Sequence, residues 1–306
     1  MRLRLRTGLG VMAIAAVVTS AGAYCTPSPA AAAWYPVNAA ALNATDTDYL
    51  TADLPAPVTA TGTTAGTTTG LADAASAPLS LSAAPLGTFV TNEEPLPSCA
   101  YQEVQTALTA QSDYALTMLD STYALSASYQ PAGLVQASAA GLNSRELIRS
   151  IVIPDLKRME TAARAAGAPL GIASAYRSYQ NQYTTFHHWV NVQGYAAALI
   201  SSARPGHSEH QLGTVIDFKA RGGADPWTMK DWAKLTSAGQ WLAANAWKYG
   251  FVMSYPRGQT AKTCYEYEPW HYRYVGMAEA AAVRASGLTL REWLWEHQPN
   301  PEVPSP

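Results

Sequence analysis

The sequence predicts an α+β fold in which a small antiparallel sheet is surrounded by helices. Short apolar runs of strand length occupy residues 170–175, 215–218, 251–255 and 272–275. Longer segments with helical spacing lie before and between them, but without the regular alternation that builds a parallel sheet. These observations favour antiparallel pairing of a few short strands. The sequence contains no internal repeat.

The helical spacing of apolar residues predicts most of the other elements. The first such spacing begins at residues 101–108, and apolar positions continue it as far as Leu125. Pro131 is expected to end this helical segment. A helix is predicted to open at Ser144, to be interrupted at Pro154 and to end near Gly167. Later helices are predicted over residues 178–189, 194–201, 232–249, 277–285 and 290–295.

The chain is predicted to have four parts. Residues 1–23 have a basic start and a short apolar run before small residues, as in a secretory signal peptide; an uncleaved anchor is the alternative. Residues 24–97 are rich in Ala, Thr and Pro, which predicts a disordered linker. Residues 98–297 form the predicted folded domain, and residues 298–306 a flexible tail. A lipid anchor at Cys25 is disfavoured by the bulky Tyr24 before it.

Charge and cysteine content narrow the environment in which the protein works. The formal net charge is −2, and removal of residues 1–23 would take away three arginines and no acid, which leaves −5. An exported protein of this charge is not expected to bind nucleic acid. Export permits a disulfide, and Cys99 and Cys264, which flank the region that looks folded, are the favoured pair. Three unpaired thiols are the alternative.

Two histidines and an aspartate suggest a catalytic metal site. His210, Asp217 and His271 are ligand types that zinc prefers, and three protein ligands leave a fourth position open to water. Glu268 stands three residues before His271, so that one helical turn, with Pro269 in it, would place both on one side. A carboxylate in this position can act as the general base for a metal-bound water.

The spacing of His210 and Asp217 requires a bend in the chain. The two are seven residues apart, and on one straight strand an odd spacing would turn them to opposite faces. Gly213 is well placed for the bend. Asp217 would then lie among Val215 and Phe218, where a buried acid is costly unless it is paired or bound to a metal. A salt bridge at the strand end is the simpler explanation for Asp217 taken alone.

Three motifs resemble those of the zinc-dependent D-Ala-D-Ala peptidases of the VanY and VanX type. Residues 208–217 fit the pattern SxHxxGxAxD, with Val215 in place of the alanine. Residues 268–276, EPWHYRYVG, resemble the second signature, and residues 174–182 resemble the SGYRS segment, with Ala175 where glycine is common. The resemblance runs from about residue 116 to residue 294. It implies the small α+β fold of this family, which is shared with the hedgehog signalling domain.

The resemblance also implies a role for each matching residue. His210, Asp217 and His271 would bind one catalytic Zn²⁺, and Glu268 would take a proton from the zinc water and return it to the leaving amine. Arg177 would stabilise the developing oxyanion or hold the substrate's carboxylate. Three more side chains would contact the substrate: Tyr176, Gln182 and Ser208. His207, beside the first motif, is expected to support the site rather than bind the metal.

The expected function follows from the resemblance and from the predicted export. It is a bacterial zinc carboxypeptidase, secreted or held in the cell envelope, that removes the terminal D-alanine of peptidoglycan stem peptides. The protein would be a monomer with no transmembrane span after signal removal. Alternatives are an L,D-carboxypeptidase acting on tetrapeptide stems, an endopeptidase that cuts cross-links, and a non-catalytic cell-wall-binding module. The presence of Glu268 together with all three ligands argues against the last.

Overall fold

The computed structural model describes Asn92, residues 94–229 and residues 231–298. The predicted signal peptide and residues 24–91 of the predicted linker lie outside the described residues. The strands are β1 (Val104–Gln105), β2 (Tyr123–Ala124), β3 (Leu134–Gln136), β4 (Leu147–Arg149), β5 (Leu170–Ser174), β6 (Val215–Ala220), β7 (Phe251–Met253) and β8 (His271–Tyr274). The α-helices are α1 (Ile153–Ala165), α2 (Tyr179–Gln193), α3 (Tyr195–Ser201), α4 (Trp232–Leu235), α5 (Ser237–Asn245), α6 (Thr260–Thr263), α7 (Met277–Ser286) and α8 (Leu290–Glu296).

A four-stranded antiparallel sheet with the order β5-β6-β8-β7 lies at the centre of the fold. Two smaller two-stranded sheets pair β1 with β2 and β3 with β4. In the central sheet Asp217 of β6 lies directly opposite His271 of β8. The helices surround these sheets, so the described residues form the predicted α+β fold with a small antiparallel sheet.

The two middle strands of this sheet have one apolar face and one polar face. Ile216 and Phe218 of β6 and Tyr272 and Tyr274 of β8 belong to the main hydrophobic core, together with residues of α1 and α5. Because successive side chains on a strand point to opposite faces, Asp217, between Ile216 and Phe218, lies on the other face. The same alternation places His271 and Arg273 of β8 on that face. The core therefore anchors the strands whose opposite side carries the polar residues.

The structure confirms the elements whose sequence pattern is short and well bounded. All four strands predicted for the central sheet are present, with ends shifted by one or two residues. The two helices predicted after residue 177 are α2 and α3. Ser178 caps α2, since its side chain accepts a hydrogen bond from the backbone N–H of Asn181. The two closing helices are α7 and α8, and a capping box formed by Thr289 and Glu292 starts α8.

Of two helices predicted nearer the N-terminus, the first is wrong, and only the C-terminal part of the second is present. Residues 101–108 contain β1, which pairs in parallel with β2, and the apolar pattern up to Leu125 is helical only in a short 3₁₀ segment, Gln111–Ala115. The segment from Ser144 enters β4, and α1 begins only at Ile153. Pro154 stands in the first turn of α1, where its missing N–H costs nothing, rather than interrupting a helix. Pairing with neighbouring strands overrides the local helical spacing in both places.

Two further predictions are corrected in detail. The helix expected over residues 232–249 is three pieces, because Thr236 leaves the helical conformation and caps α5, and a short 3₁₀ helix follows at Ala246–Tyr249. The helical turn predicted between Glu268 and His271 is absent, and a non-helical turn joins the two residues. In it the N–H of His271 donates a 3.1 Å hydrogen bond to the carbonyl of Glu268. His271 is already the first residue of β8, because it pairs with Asp217.

The predicted Cys99–Cys264 disulfide is present, with 5.3 Å between the two Cα atoms. It holds the N-terminal segment against the domain. Residues 94–97, assigned to the linker by sequence, also contact α8: the indole of Trp295 donates to the carbonyl of Glu94, and Arg291 donates to that of Pro97. Gln298, assigned to the tail, is buried. Within the described part of the chain, no helix has the length and apolar character needed to cross a membrane.

Candidate metal centre and active site

The chain turns sharply between His210 and Asp217. His210 lies in a short 3₁₀ helix, Glu209–Leu212, which ends at Gly213 in the left-handed conformation, with φ 71°. The chain then enters β6, so the odd spacing of the two residues no longer separates them. A side chain at Gly213 would meet Arg149 and Pro131 at 3.0 Å, and a left-handed backbone is costly for other residues. The predicted bend at Gly213 is therefore present.

His210, Asp217 and His271 converge on one point. The Nε2 atom of His210 lies 3.2 Å from Oδ2 of Asp217, and Nδ1 of His271 lies 3.2 Å from Oδ1 of the same carboxylate. One ligand atom from each residue fits within 4.8 Å of the others. All three side chains are buried. The cross-strand pairing of Asp217 with His271 and the turn at Gly213 together produce this convergence.

The bonding of these atoms fits a metal ion. Nε2 of His210 and Oδ1 of Asp217 are buried, and neither has a hydrogen-bond partner of suitable geometry among the described residues. Buried polar atoms are rarely left unsatisfied, and a cation between them would satisfy both. The other nitrogen of His210, Nδ1, contacts the carbonyl of Ala175 at 2.6 Å. That contact fixes the ring with Nε2 directed at the shared point.

The charges at this point also suit a metal. Burial lowers the pKa of His210 to about 4, so its ring is neutral and can bind a metal at ordinary pH. Burial would raise the pKa of Asp217, but the two histidines outweigh it and hold that pKa well below its usual range. Burial would likewise lower the pKa of His271, but its close contacts with the carboxylates of Asp217 and Glu209 outweigh it and raise that pKa to about 10. His271 therefore carries the extra proton of this site when no metal is bound.

Glu209 is a residue of this site that the sequence analysis missed. Its Oε2 atom lies 2.9 Å from Nε2 of His271 and accepts a hydrogen bond of 2.6 Å from Ser254, while Oε1 accepts one of 2.8 Å from Arg273. Arg273 and the other contacts outweigh the effect of burial and lower the pKa of Glu209 to about 2. The ionised carboxylate fixes Nε2–H of His271, which leaves Nδ1 for a metal.

Strand alternation could have pointed to this network. His271 and Arg273 are two residues apart on β8, so they share one face, and a buried arginine there requires an acid. Glu209, beside His210 in the first motif, is that acid. Glu209 and His271 are 62 residues apart in the sequence, and no local sequence pattern predicts that two such distant residues are in contact.

Glu268 lies at the rim of the metal centre. Its Oε2 atom is 3.4 Å from Nδ1 of His271, and its side chain remains 21% exposed, against 4% for His271. Burial of the carboxylate is the main cause that raises the pKa of Glu268 to about 7, with the Asp217 charge adding to it and His271 opposing. A carboxyl group with a pKa near neutrality can both accept and donate a proton at working pH.

Arg177 also reaches the candidate metal centre. Its Nη2 atom lies 3.7 Å from Oδ2 of Asp217, and Nη1 donates a 3.0 Å hydrogen bond to Oε1 of Gln182. The amide of Gln182 in turn donates to the carbonyl of Ala203 at 2.6 Å. Gln182 is fully buried, and both ends of its amide are occupied by the protein. It fixes the guanidinium of Arg177, whose Nε atom is buried without a partner among the described residues.

The remaining predicted residues lie close to the centre in the chain. Ser208 is buried and begins the 3₁₀ helix that carries His210, although its side chain does not cap that helix. Tyr176, directly before Arg177, is half-buried. His207 lies outside the metal group, with its Nδ1 atom 2.8 Å from the carbonyl of Asp120 and Nε2 3.1 Å from Glu103.

A buried group of two histidines and one aspartate, with an ionisable acid at its open side, is the arrangement of a metal-dependent hydrolase. The model of the VanY family, described as D-alanyl-D-alanine carboxypeptidase, matches residues 145–277, which include every site residue discussed above. The chain belongs to this family.

Known relatives agree with this membership. The chain is 36% identical over 182 residues to YodJ of Bacillus subtilis (strain 168), and 34% identical over 166 residues to the D-alanyl-D-alanine carboxypeptidase of Enterococcus faecalis (strain ATCC 700802 / V583). These alignments cover 58% and 50% of this chain. The chain spans 66% of the length of the first relative and 58% of the second, which is less than two thirds of either.

Solved structures share the fold. The LdcB LD-carboxypeptidase matches with a TM-score of 0.55 and 31% identity, over 65% of this chain and 99% of that one. The D,D-pentapeptidase VanY from a VanB-type vancomycin resistance cassette, a mutant in complex with Zn(II), matches with a TM-score of 0.51 and 32% identity, over 59% of this chain and 99% of that one.

Proposed function

We propose that the chain is a zinc carboxypeptidase that removes the terminal D-alanine from peptidoglycan stem peptides. The observation that carries the proposal is the convergence of His210, Asp217 and His271, with Glu268 at 3.4 Å from the last of them. The relative in Enterococcus faecalis is named a D-alanyl-D-alanine carboxypeptidase. A VanY structure contains Zn(II), and the related VanYB has been solved with D-alanine-D-alanine.

The residues of the centre would divide the chemistry among them. His210 through Nε2, Asp217, and His271 through Nδ1 would hold the zinc, which supplies a polarised water at neutral pH when bound. Glu268, with its pKa raised to about 7, would accept the proton of the attacking water and pass it to the leaving amine. Its place at the more exposed side of the centre gives it access to a substrate.

Arg177 would act on the substrate's charges. Its guanidinium is oriented by Gln182 and has an unpaired buried Nε–H, so a donor remains for a carbonyl oxygen or a terminal carboxylate. Gln182 therefore acts through Arg177 rather than on the substrate. Tyr176 and Ser208 are the proposed direct contacts, because they are neighbours in sequence of Arg177 and of the His210 helix.

A cell-envelope location and a monomeric state belong to the same proposal. The basic, then apolar, N-terminal sequence is typical of export, and the Cys99–Cys264 disulfide is of the kind formed in oxidising compartments. The proposed catalytic domain is residues 98–297, with the kinship to the hedgehog signalling domain as its expected fold relationship. Peptidoglycan stem peptides are the proposed partner, and nucleic acid is not.

The test is D-alanine release by the purified protein from a soluble peptide ending in D-Ala-D-Ala, beside Glu268→Gln. The parent is expected to bind one zinc per chain and to release D-alanine. Glu268→Gln should keep the zinc and lose roughly 10²- to 10⁴-fold in kcat, the usual contribution of a general base. If Glu268→Gln cleaves as well as the parent, Glu268 is not the base. If the parent releases nothing from this peptide and nothing from a tetrapeptide stem, the wall-binding alternative is favoured.

An L,D-carboxypeptidase is the second candidate, because the LdcB LD-carboxypeptidase matches this chain with a TM-score of 0.55, against 0.51 for VanY. Both activities remove a terminal D-alanine but differ in the residue before it. Digestion of matched tetrapeptide and pentapeptide stems, followed by product masses, separates them. Release from the tetrapeptide alone would assign the L,D activity, and cleavage of intact cross-links would assign an endopeptidase.

A further inference from the structure

The hairpin formed by α2 and α3 carries no charged side chain. Residues 178–203 contain no Asp, Glu, Lys or Arg, although such residues make up 14% of the chain. Surface helices normally place charged residues on their solvent side. Here the exposed positions of the hairpin hold amides, hydroxyls, histidines and tyrosine rings, together with small or apolar residues such as Val192, which is 47% exposed. The need to keep a surface helix soluble does not explain why charged residues are missing from this one.

Aromatic rings stand out on this uncharged surface. Tyr183 of α2 is 46% exposed and Tyr195 of α3 is 57% exposed. The ring of Tyr183 stacks on that of His187 with 4.0 Å between the centroids. The ring of Tyr195 packs edge-on against the buried Phe186 at 6.0 Å. Each tyrosine ring is therefore held by a neighbouring ring while much of it remains exposed to solvent.

The hairpin is joined to the active site at both of its ends. At its start, Gln182 in the first turn of α2 holds Arg177. At its end, the carbonyl of Ile200 accepts a 3.1 Å hydrogen bond from the N–H of Glu266, two residues before Glu268. A polymer whose side branch enters the active site would therefore pass close to this hairpin.

We propose that the exposed face of the α2–α3 hairpin binds the glycan strand that carries the stem peptides. The inference rests on the proposed function, since it assumes a substrate attached to a sugar polymer. Sugars present apolar C–H faces that stack on aromatic rings, and hydroxyl and acetamido groups that pair with amides and hydroxyls. Tyrosine gives a large contact area at low entropic cost.

A peptide is a poorer fit for the same face. Stem peptides carry carboxylates and amines, and recognition of such groups uses charged side chains. The hairpin offers none between Ser178 and Ala203. The nearest arginine toward the N-terminus, Arg177, is already directed into the metal centre. The surface and the centre would thus recognise different parts of one substrate.

The experiment measures sedimentation of the full chain with two preparations of cell wall. One is intact peptidoglycan. The other is the same material after an amidase has removed the stem peptides and the freed lactyl carboxylates have been coupled to methylamine, which leaves bare, neutral glycan. The parent should bind both. The double variant Tyr183→Ala/Tyr195→Ala should bind each about tenfold more weakly, and the ring-preserving Tyr183→Phe/Tyr195→Phe should bind nearly as the parent does.

Leu235→Ala is the matched control, because Leu235 on α4 is 68% exposed and outside the hairpin. It should bind like the parent. Zinc content and the thermal midpoint check that each variant is folded. Binding to intact wall but not to bare glycan would overturn the proposal in favour of a peptide contact. Equal binding by parent and Tyr→Ala double variant would overturn it as well.

The readout also separates this proposal from the proposed function. Binding to bare glycan requires no catalysis. A parent protein that binds glycan through the two tyrosines but releases no D-alanine would therefore contradict only the proposed enzyme function. A parent protein that releases D-alanine but does not bind bare glycan would contradict only the proposal that the hairpin binds the glycan strand.

Discussion

The candidate metal centre and the α2–α3 hairpin adjoin one another at Arg177, yet they differ completely in charge. Around the metal centre, ionisable side chains are buried and fix one another: Glu209 is held by Arg273 and Ser254 and in turn holds His271. The hairpin has no Asp, Glu, Lys or Arg between residues 178 and 203. Charge is concentrated where bonds would be broken and absent where a neutral polymer would lie.

This difference has a physical basis. Buried charges interact strongly, so small changes in their partners are expected to alter metal binding and protonation by large factors. A neutral exposed surface works through many weak contacts, each of which can be lost at modest cost. Substitutions in the two regions should therefore produce effects of different size and on different measurements.

The largest effect is expected from Asp217→Asn. The change keeps the shape of the side chain but removes the charge that lies 3.2 Å from both histidines. Zinc affinity should fall by more than about 100-fold, beyond the range for residues that only support a ligand. Equilibrium competition with a chelator measures it. Unchanged affinity would mean that Asp217 forms only an ion pair, such as that with Arg177.

A smaller effect is expected from Glu209→Gln. The oxygen of the glutamine amide can still accept a hydrogen bond, but it lacks the negative charge with which the ionised carboxylate holds Nε2–H of His271. Zinc affinity should fall by about 10- to 100-fold. A cobalt-substituted protein should show a changed visible spectrum, which a loss of stability alone would not produce. Ser254→Ala, which removes one neighbour of Glu209 and no charge, is the milder comparison.

The pH should alter zinc affinity about tenfold per unit. Without metal, His271 has its pKa raised to about 10, whereas the pKa of His210 is lowered to about 4. Below pH 10 zinc must displace the proton of His271, so affinity falls as pH falls, while His210 is already neutral. The dissociation constant should rise about tenfold for each unit lowered between about pH 9 and 6. A flat profile would contradict a proton on His271.

The smallest effect is expected from a matched pair of glycine variants, Gly213→Ala beside the metal centre and Gly194→Ala between α2 and α3. Both glycines have positive φ, 71° and 86°, so each change should lower the free energy of unfolding by about 1–3 kcal/mol. An added methyl at Gly213 would also meet Arg149 and Pro131 at 3.0 Å, whereas at Gly194 nothing lies within 4 Å.

Urea unfolding and zinc titration of the two glycine variants separate backbone strain from damage to the site. Gly213→Ala should weaken zinc binding several-fold, because it shifts the turn that aligns His210 with Asp217. Gly194→Ala should leave zinc binding as in the parent. Equal zinc loss in both would show that the hairpin and the metal centre respond as one unit.

Sequence was a good guide wherever the pattern was local. The helical pattern from residue 178 predicted α2, and the apolar runs of β5 to β8 predicted the central sheet. The region before residue 153 was predicted poorly, because β1 pairs with β2 and β4 with β3, and such pairings leave no local period. The turn between Glu268 and His271 was missed for the same reason, since pairing of His271 with Asp217 starts the strand at once.

The sequence by itself determined the chemical groups available: two imidazoles, an aspartate and a glutamate in recognisable motifs, a glycine at the bend, and a neutral segment after Arg177. Only the tertiary structure decided how they are used. The carbonyl of Ala175 turns Nε2 of His210 inward, and Glu209 turns Nδ1 of His271 inward, over separations of 35 and 62 residues. The orientation of an imidazole is set by the partner of its other nitrogen, and that partner is brought close only by folding.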